Sequence, residues 1–302
     1  MSWVLLALSA PVLWAVSTHL DKYLVERFFK NVSVAVLLVF TAVIGLALLP
    51  FILVYQPGIA SPPPQSLVLV ALSGVLYMGG MFFYLEALRG EEASVIAPFY
   101  QAAPLFGYVL AYFVLGEVLS AMQMLGGLLV VLGAASASLQ RGNRGPRIRL
   151  RLVILMLACA LSLALASLVF KFFAMRIEFW TTVFWTYVGE AVFGLGILLV
   201  ARYRRQLLAT LRANPAPVLA INAANELINL AGSLAARYAL LLAPLSLVQA
   251  ISSTTSLFVV VFGIVLTLTF PKLGREDLSP GNLVHKSISA VLVVIGVDLV
   301  SR

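Results

Sequence analysis

Runs of about 20 apolar residues recur along the whole sequence, with short polar or proline-rich stretches between them. A run of this length crosses the hydrocarbon core of a bilayer as an α-helix, which satisfies its backbone hydrogen bonds internally. The composition agrees with this interpretation, because 62% of the 302 residues are hydrophobic and 11% are charged. A soluble domain is about a quarter charged. The sequence therefore predicts an all-α integral membrane protein.

The runs divide into ten predicted transmembrane segments, arranged as two sets of five. We expect a first five-helix unit over residues 1–140, a basic cytoplasmic linker over 141–151 and a second five-helix unit over 152–302. The predicted segments are 3–20, 32–55, 65–86, 93–115, 118–139, 152–173, 179–201, 215–238, 244–270 and 283–300.

The Lys and Arg residues predict the orientation of the chain in the membrane. Sixteen of the 20 lie in or beside the connections that follow odd-numbered segments, and the other four are Lys171, Arg176, Arg237 and Arg302. Basic residues favour the cytoplasmic side, so we expect a multi-pass protein of the cell membrane with both termini outside. This distribution accounts for the net charge of +8, and we expect no nucleic-acid partner. Lys22 and Lys171 are expected to extend to the membrane surface.

The two sets of segments resemble each other. A shift of 152 residues places Ala87-Leu88 on Ala239-Leu240, and a shift of 149 residues places Lys22 on Lys171. Because each set has five segments, the second copy would lie inverted in the membrane. Inverted repeats are typical of secondary transporters, which bind substrate near the midplane where the repeats meet.

The stretch from residue 84 to 136, YLEALRGEEASVIAPFYQAAPLFGYVLAYFVLGEVLSAMQMLGGLLVVLGAAS, resembles the EamA-type repeat of the drug/metabolite transporter superfamily. The residues that carry this resemblance are Ala87-Leu88, Ala93-Ser94, Pro98, Pro104-Leu105, Leu115-Gly116-Glu117, Leu119-Ser120, Gln123 and Gly126 to Gly133. The resemblance implies a ten-helix carrier, built from two inverted five-helix repeats, that exports or exchanges small metabolites. Members often keep their termini in the cytoplasm and carry basic residues after the second helix, where this chain has the uncharged QPGIASPPP (56–64). We therefore take the fold from the resemblance and the orientation from the basic residues.

A polar stripe interrupts the apolar segment 215–238. Asn222, Asn225, Glu226 and Asn229 follow the i, i+3, i+4, i+7 spacing of one helix face. A carboxylate at the centre of a membrane helix costs about 2.5–3.5 kcal/mol on insertion scales, so such residues usually face a cavity or a partner. We expect the stripe to line a substrate cavity, where Glu226 or Glu190 binds a substrate ammonium group or carries a proton. The alternative is that these side chains only join helices by hydrogen bonds.

Other polar and aromatic residues are weaker candidates for the same cavity. In the segment 244–270, hydroxyl groups fill positions 252–256 and can bond back to their own helix and bend it. Aromatic and amide side chains in the first unit are candidates to contact substrate or to serve as packed core. The candidates of both kinds are Trp14, Tyr77, Tyr84, Tyr100, Gln101, Ser252 and Ser253.

Several chemistries have no matching motif in the sequence. It contains no GxxxxGK[ST] loop for ATP, and its two His and one Cys do not form a usual zinc site. We expect no cofactor, no metal and no enzymatic activity. The predicted function is secondary transport of a small amino-acid-like or other polar or amphipathic metabolite, driven by its own gradient or by protons. The alternative is a flippase for a lipid-linked substrate, and the chain would act in the bilayer as a monomer or a homodimer.

Overall fold

A computed structural model describes residues 3–29, 32–90, 102–138, 150–213, 215–269 and 280–301 of the protein. Within these ranges the secondary structure is helical, and no strand occurs. The α-helices are α1 (Trp3–Arg27), α2 (Ala35–Tyr55), α3 (Pro64–Gly90), α4 (Ala103–Leu115), α5 (Ala121–Ser138), α6 (Leu150–Ala174), α7 (Phe179–Leu199), α8 (Ala201–Ala213), α9 (Pro215–Leu242), α10 (Leu245–Ser252), α11 (Thr255–Thr269) and α12 (Pro280–Ser301).

The helices agree with the predicted all-α membrane class. Among the described residues, seven candidate spans are long and apolar enough to cross a membrane, one of them formed by α10 and α11 together. Shorter apolar helices occupy Ala103–Leu115, Ala121–Gly133 and Ser287–Val300. The count of ten segments and the inverted repeat stay predictions, because residues 91–101 and 270–279 lie outside the described ranges.

The predicted segment 244–270 is interrupted near its hydroxyl-rich run. Here α10 ends at Ser252 and α11 begins at Thr255. The Oγ of Ser252 donates to the carbonyl of Val248 at 2.9 Å, and Oγ1 of Thr255 donates to the carbonyl of Ser252 at 2.7 Å. Hydroxyl groups that bond back to their own helix bend it, as the run of five predicted.

Residues 202–213 were expected to form a connection and instead belong to the helix α8. Arg202, Arg204, Arg205 and Arg212 are exposed on this helix. Its apolar side chains, Tyr203, Leu207 and Leu211, pack against the bundle. This division into a charged and an apolar face is typical of helices that lie along a membrane surface.

The most extensive contacts between helices join the two halves of the chain. These contacts pair α5 with α12, α3 with α6, α1 with α9, α2 with α7, and α3 with α7. The helices of one half therefore depend on the other half for their packing, and the interface between the halves runs through the centre of the bundle.

Candidate functional site

The polar face of α9 borders a narrow cleft between α1, α2, α3 and α9. Its volume is about 20 Å³, which is room for a water molecule and too little for a metabolite. The lining combines apolar side chains with a polar group from each of the four helices. The lining residues are Asp21, Leu37, Leu38, Thr41, Tyr77, Met81, Leu85, Asn225, Glu226 and Asn229.

Glu226 is the carboxylate that α9 contributes to the cleft. Its side chain is buried, and Oγ1 of Thr41 on α2 donates a hydrogen bond of 2.8 Å to its Oε1. Asn229, one turn further along α9, lies within hydrogen-bonding reach of both Glu226 and Tyr77. Glu226 thus lies where helices of both halves meet.

Asp21 on α1 is a second carboxylate in this cleft, and it is not among the site residues predicted from the sequence. Nδ2 of Asn225 donates to Oδ1 of Asp21 at 2.6 Å, across the contact between α1 and α9. Oδ1 of Asn225 is buried and has no hydrogen-bond partner. Asp21 lies near the end of the first apolar run, next to Lys22, and this position suggests a membrane-surface residue. The available signal was a carboxylate that follows a long and mostly apolar run on the same helix.

A second, smaller cavity of about 10 Å³ adjoins the cleft and contains Glu190 of α7. It shares Thr41, Tyr77, Glu226 and Asn229 with the cleft and adds Gly45, Tyr187, Leu230 and Ser233. The two cavities therefore form one polar track between α2, α3, α7 and α9.

Glu190 forms an ion pair with Arg237. The distribution of basic residues in the sequence predicted that Arg237 lies at the outer membrane surface. The guanidinium of Arg237 lies 2.6 Å from Oε1 of Glu190 and 4.6 Å from the centre of the Tyr187 ring. Both partners are buried. Opposite charges at depth usually pair with each other, and Arg237 is the partner of the Glu190 carboxylate.

Residues 1–139 match the EamA-like transporter family. The resemblance to EamA-type transporters seen in the sequence is thereby confirmed over these residues. No curated protein matches the chain.

The fold extends over both halves. A protein of known crystal structure has a TM-score of 0.65 against this chain at 16% sequence identity. The similarity covers 99% of this chain and 96% of the other. At this identity, the comparison concerns the fold alone.

The structure places only some of the predicted site residues around the two cavities of the bundle. Asn225, Glu226, Asn229 and Tyr77 line the cleft, and Glu190 lines the second cavity. The predicted residues that line neither cavity are Trp14, Tyr84, Asn222, Ser252 and Ser253. Tyr100 and Gln101 lie outside the described residues.

The predicted residues outside the cavities have local partners. Asn222 donates from Nδ2 to the carbonyl of Val218 at 2.7 Å, within its own helix. The indole of Trp14 packs at Gly232 where α1 crosses α9. Ser252 and Ser253 also donate to carbonyl groups one turn earlier.

The aromatic ring of Tyr84 also lies away from the cavities. It packs in an apolar cluster that includes Leu152 and Met156 of α6. The seven-residue spacing from Tyr77 predicts both tyrosines on one face of α3. Along its length, however, this face contacts two different parts of the bundle. Tyr77 faces the cleft, and Tyr84 faces the contact between α3 and α6.

Lys171 does not extend to the membrane surface, so that expectation is wrong. Its Nζ lies 2.5 Å from Oε1 of Glu117 and donates to the carbonyl of Ala243 at 2.6 Å. Its side chain is only 6% exposed. Lys22, the predicted repeat counterpart, is exposed. Neither lysine lines the cleft.

Proposed function

We propose that the chain is a secondary transporter that moves a small polar or amphipathic metabolite, such as an amino-acid-like compound, across the cell membrane. The observation that carries the proposal is the polar cleft at Glu226, enclosed by helices of both halves. Polar side chains deep in a membrane protein usually mark a substrate or ion pathway. One chain supplies the whole cleft, so a monomer suffices and a homodimer would contain two such sites.

Alternating access follows from the small size of the cleft. A volume of about 20 Å³ does not hold a metabolite, so binding requires the helices around Glu226 to separate. Rocking of one half against the other around a fixed site is the usual movement in transporters with repeats. The transport cycle would open the cleft to each side of the membrane in turn.

The proposed coupling residue is Glu226, which would carry a proton or hold a cationic group of the substrate. Glu226→Gln keeps the size of the side chain and removes its charge. We expect it to abolish proton-gradient-driven uptake of the transported metabolite into proteoliposomes, screened with a panel of labelled amino acids and related metabolites. Glu86→Gln is the matched control, because Glu86 lies outside both cavities and pairs with exposed Arg151 at 3.7 Å. Uptake by Glu226→Gln equal to wild type at every pH would remove Glu226 from the mechanism.

The flippase alternative has less support from the same residues. A phosphate headgroup would require basic side chains at the site, and the two cavities contain no Lys or Arg among their lining residues. Translocation of a fluorescent phospholipid in the same proteoliposomes would test this alternative. Lipid translocation without metabolite uptake would replace our proposal with the flippase.

The proposed orientation places the loop 56–63 outside the cell and α8 in the cytoplasm. Two of the four basic residues predicted on the outer side, Lys171 and Arg237, are held in buried ion pairs. They therefore do not count as free positive charges at the outer membrane surface, which supports the orientation. In a Cys159→Ala background, a cysteine at exposed Ser61 should react with a membrane-impermeant maleimide in intact cells. A cysteine at exposed Ala209 should react only after lysis. The reverse pattern would invert the orientation.

A further inference from the structure

We propose that the cleft at Glu226 binds the ammonium head group of a cationic primary amine, which would be the class of substrate carried. This inference rests on the proposed function and goes further by naming the chemistry that the site recognises. The juxtaposition that carries it is the carboxylates of Asp21 and Glu226 around an unsatisfied acceptor, Oδ1 of Asn225.

The charges of the cleft are unbalanced. Asp21 and Glu226, which both have carboxyl side chains, line it together. No Lys, Arg or His is among the lining residues. Glu190, by contrast, has its own cation, Arg237, at 2.6 Å. Because a buried charge needs a partner, the two carboxylates favour a ligand that brings positive charge.

The hydrogen-bonding groups favour the same ligand. Asn225 uses its amide NH₂ to donate to Asp21 at 2.6 Å, which leaves its Oδ1 as an acceptor. That oxygen is buried without a partner, in a residue that is 2% exposed. An alkylammonium group has three donors and no acceptor. Its three donors equal in number the acceptor groups that these lining residues offer, which are Oδ1 of Asn225 and the two carboxylates.

The volume of the cleft fits a head group rather than a whole substrate. About 20 Å³ admits a group of the size of water or ammonium. The apolar part of the lining, Leu37, Leu38, Met81 and Leu85, lies beside these carboxylates. When the helices separate, this apolar surface would contact the carbon skeleton of the amine.

The test is ligand-induced thermal stabilisation of the purified full-length chain in detergent, with two probes of the same shape. Benzylamine carries a positive charge at neutral pH, and benzyl alcohol does not. We expect benzylamine to raise the melting temperature in a saturable manner and to bind at least about tenfold more tightly than benzyl alcohol, since a hydrogen bond to a charged group contributes about that much. Equal binding of the two probes, or no stabilisation by benzylamine, would overturn the inference without any substitution.

The variants connect binding to the named residues. Asp21→Asn and Glu226→Gln should each weaken benzylamine binding about tenfold or more, because each removes one charged acceptor. Glu86→Gln should bind benzylamine as wild type does. The elution volume in size-exclusion chromatography identifies variants that remain folded. Unchanged benzylamine binding in both folded cleft variants would overturn the inference.

Transport measurements separate a failure of this inference from a failure of the proposed function. In proteoliposomes, benzylamine should compete with the transported metabolite for uptake. If a neutral or anionic metabolite is carried and benzylamine does not compete, the ammonium site is wrong and the transporter proposal stands. If no amine and no metabolite of the panel is carried, the transporter proposal fails as well.

Discussion

At the scale of single residues, the ion pair of Lys171 and Glu117 shows how the bundle holds buried charge. α4 ends at Leu115, and Gly116 adopts the left-handed conformation with φ 67° that turns the chain towards Glu117. Oε1 of Glu117 lies 2.5 Å from Nζ of Lys171, and its Oε2 accepts from the backbone N–H of Leu245 at 2.8 Å. Leu245 is the first residue of α10, where a carboxylate satisfies free N–H groups and the helix dipole. Glu117 therefore connects the first half of the chain to two helices of the second.

Replacement of Glu117 should destabilise the folded protein. Glu117→Gln leaves the ammonium of Lys171 buried without its counter-ion. Removal of one partner from a buried pair costs about 3–5 kcal/mol in the free energy of unfolding. We expect a clearly lower melting temperature of the purified protein in detergent, measured by tryptophan fluorescence.

The control for Glu117 is the pair of half-buried Glu86 and exposed Arg151, because ion pairs that solvent can reach contribute little to stability. Glu86→Gln should melt close to wild type. Lys171→Met in the Glu117→Gln background should recover part of the loss, since the buried charge is then gone. A Glu117→Gln variant that melts with wild type would show that the ion pair does not stabilise the bundle.

The residues found and missed in the sequence differ in where they lie along their helices. Asn225, Glu226 and Asn229 could be predicted, because they interrupt an apolar run near its middle at helical spacing. Asp21 and Arg237 lie near the ends of their segments, where a charged residue is usually at the membrane surface. Their partners are 204 and 47 residues away in the chain. A one-dimensional pattern carries no information on such contacts.

At the scale of helices, glycines bring α3 and α7 together. A Cβ atom added to Gly189 of α7 would overlap the backbone oxygen of Ala71, and one added to Gly74 of α3 would overlap the backbone oxygen of Thr186. Small residues allow membrane helices to approach closely and to gain dispersion contacts. The two glycines therefore set the distance between these helices.

Gly189→Ala should lower the stability of the bundle, although alanine is the better helix former. The added methyl group has no space, and overpacking costs about 1–3 kcal/mol. Gly196→Ala on the same helix is the matched control, because a Cβ there meets no atom within 4 Å. We expect Gly189→Ala to melt below wild type and Gly196→Ala to melt at or above it. Equal melting of the two variants would contradict the close contact.

Hydropathy alone predicted most of the helices, since a span must be both long and apolar. It missed α8, whose four arginines resemble a loop until the helical spacing of Tyr203, Leu207 and Leu211 is considered. It also predicted α10 and α11 as one segment, because hydropathy does not report hydrogen bonds from hydroxyl groups to carbonyl groups of their own helix.

The polar face of α9 is longer than the predicted stripe. It continues through Ser233 to Arg237, which lies about 18 Å from Asn225 along the helix axis at the usual rise per residue.

At the scale of the whole molecule, the predicted repeat exposes an asymmetry in the packing. The repeat makes α1 equivalent to α6, α2 to α7, α3 to α9, and α5 to α12. Under this exchange the contact of α1 with α9 becomes that of α6 with α3, and both are extensive. The contacts of α2 with α7 and of α5 with α12 map onto themselves. The contact of α3 with α7 should map onto that of α9 with α2, yet the first is extensive and the second is slight.

The slight contact coincides with the cleft. Thr41 of α2 and Glu226 of α9 border it, joined by a single hydrogen bond of 2.8 Å. Two inverted repeats can exchange their conformations. In the opposite state, we expect α2 and α9 to pack closely and α3 and α7 to separate. Ser73 and Thr186, whose hydroxyl oxygens lie 3.1 Å apart in the contact of α3 with α7, would then move away from each other.

A disulfide across this contact should stop transport. In a Cys159→Ala background, the pair Ser73→Cys and Thr186→Cys places two sulfur atoms close enough to oxidise. We expect metabolite uptake into proteoliposomes to be lost on oxidation and restored by a reductant, because α3 and α7 can no longer separate. The control joins α5 to α12 through Ser136→Cys and Ser289→Cys, whose hydroxyl oxygens lie 3.2 Å apart. That contact maps onto itself and stays closed in both states, so its disulfide should leave uptake unchanged. Full uptake by the oxidised variant with cysteines at positions 73 and 186 would show that α3 and α7 stay together throughout the transport cycle. The proposed exchange of contacts would then be wrong.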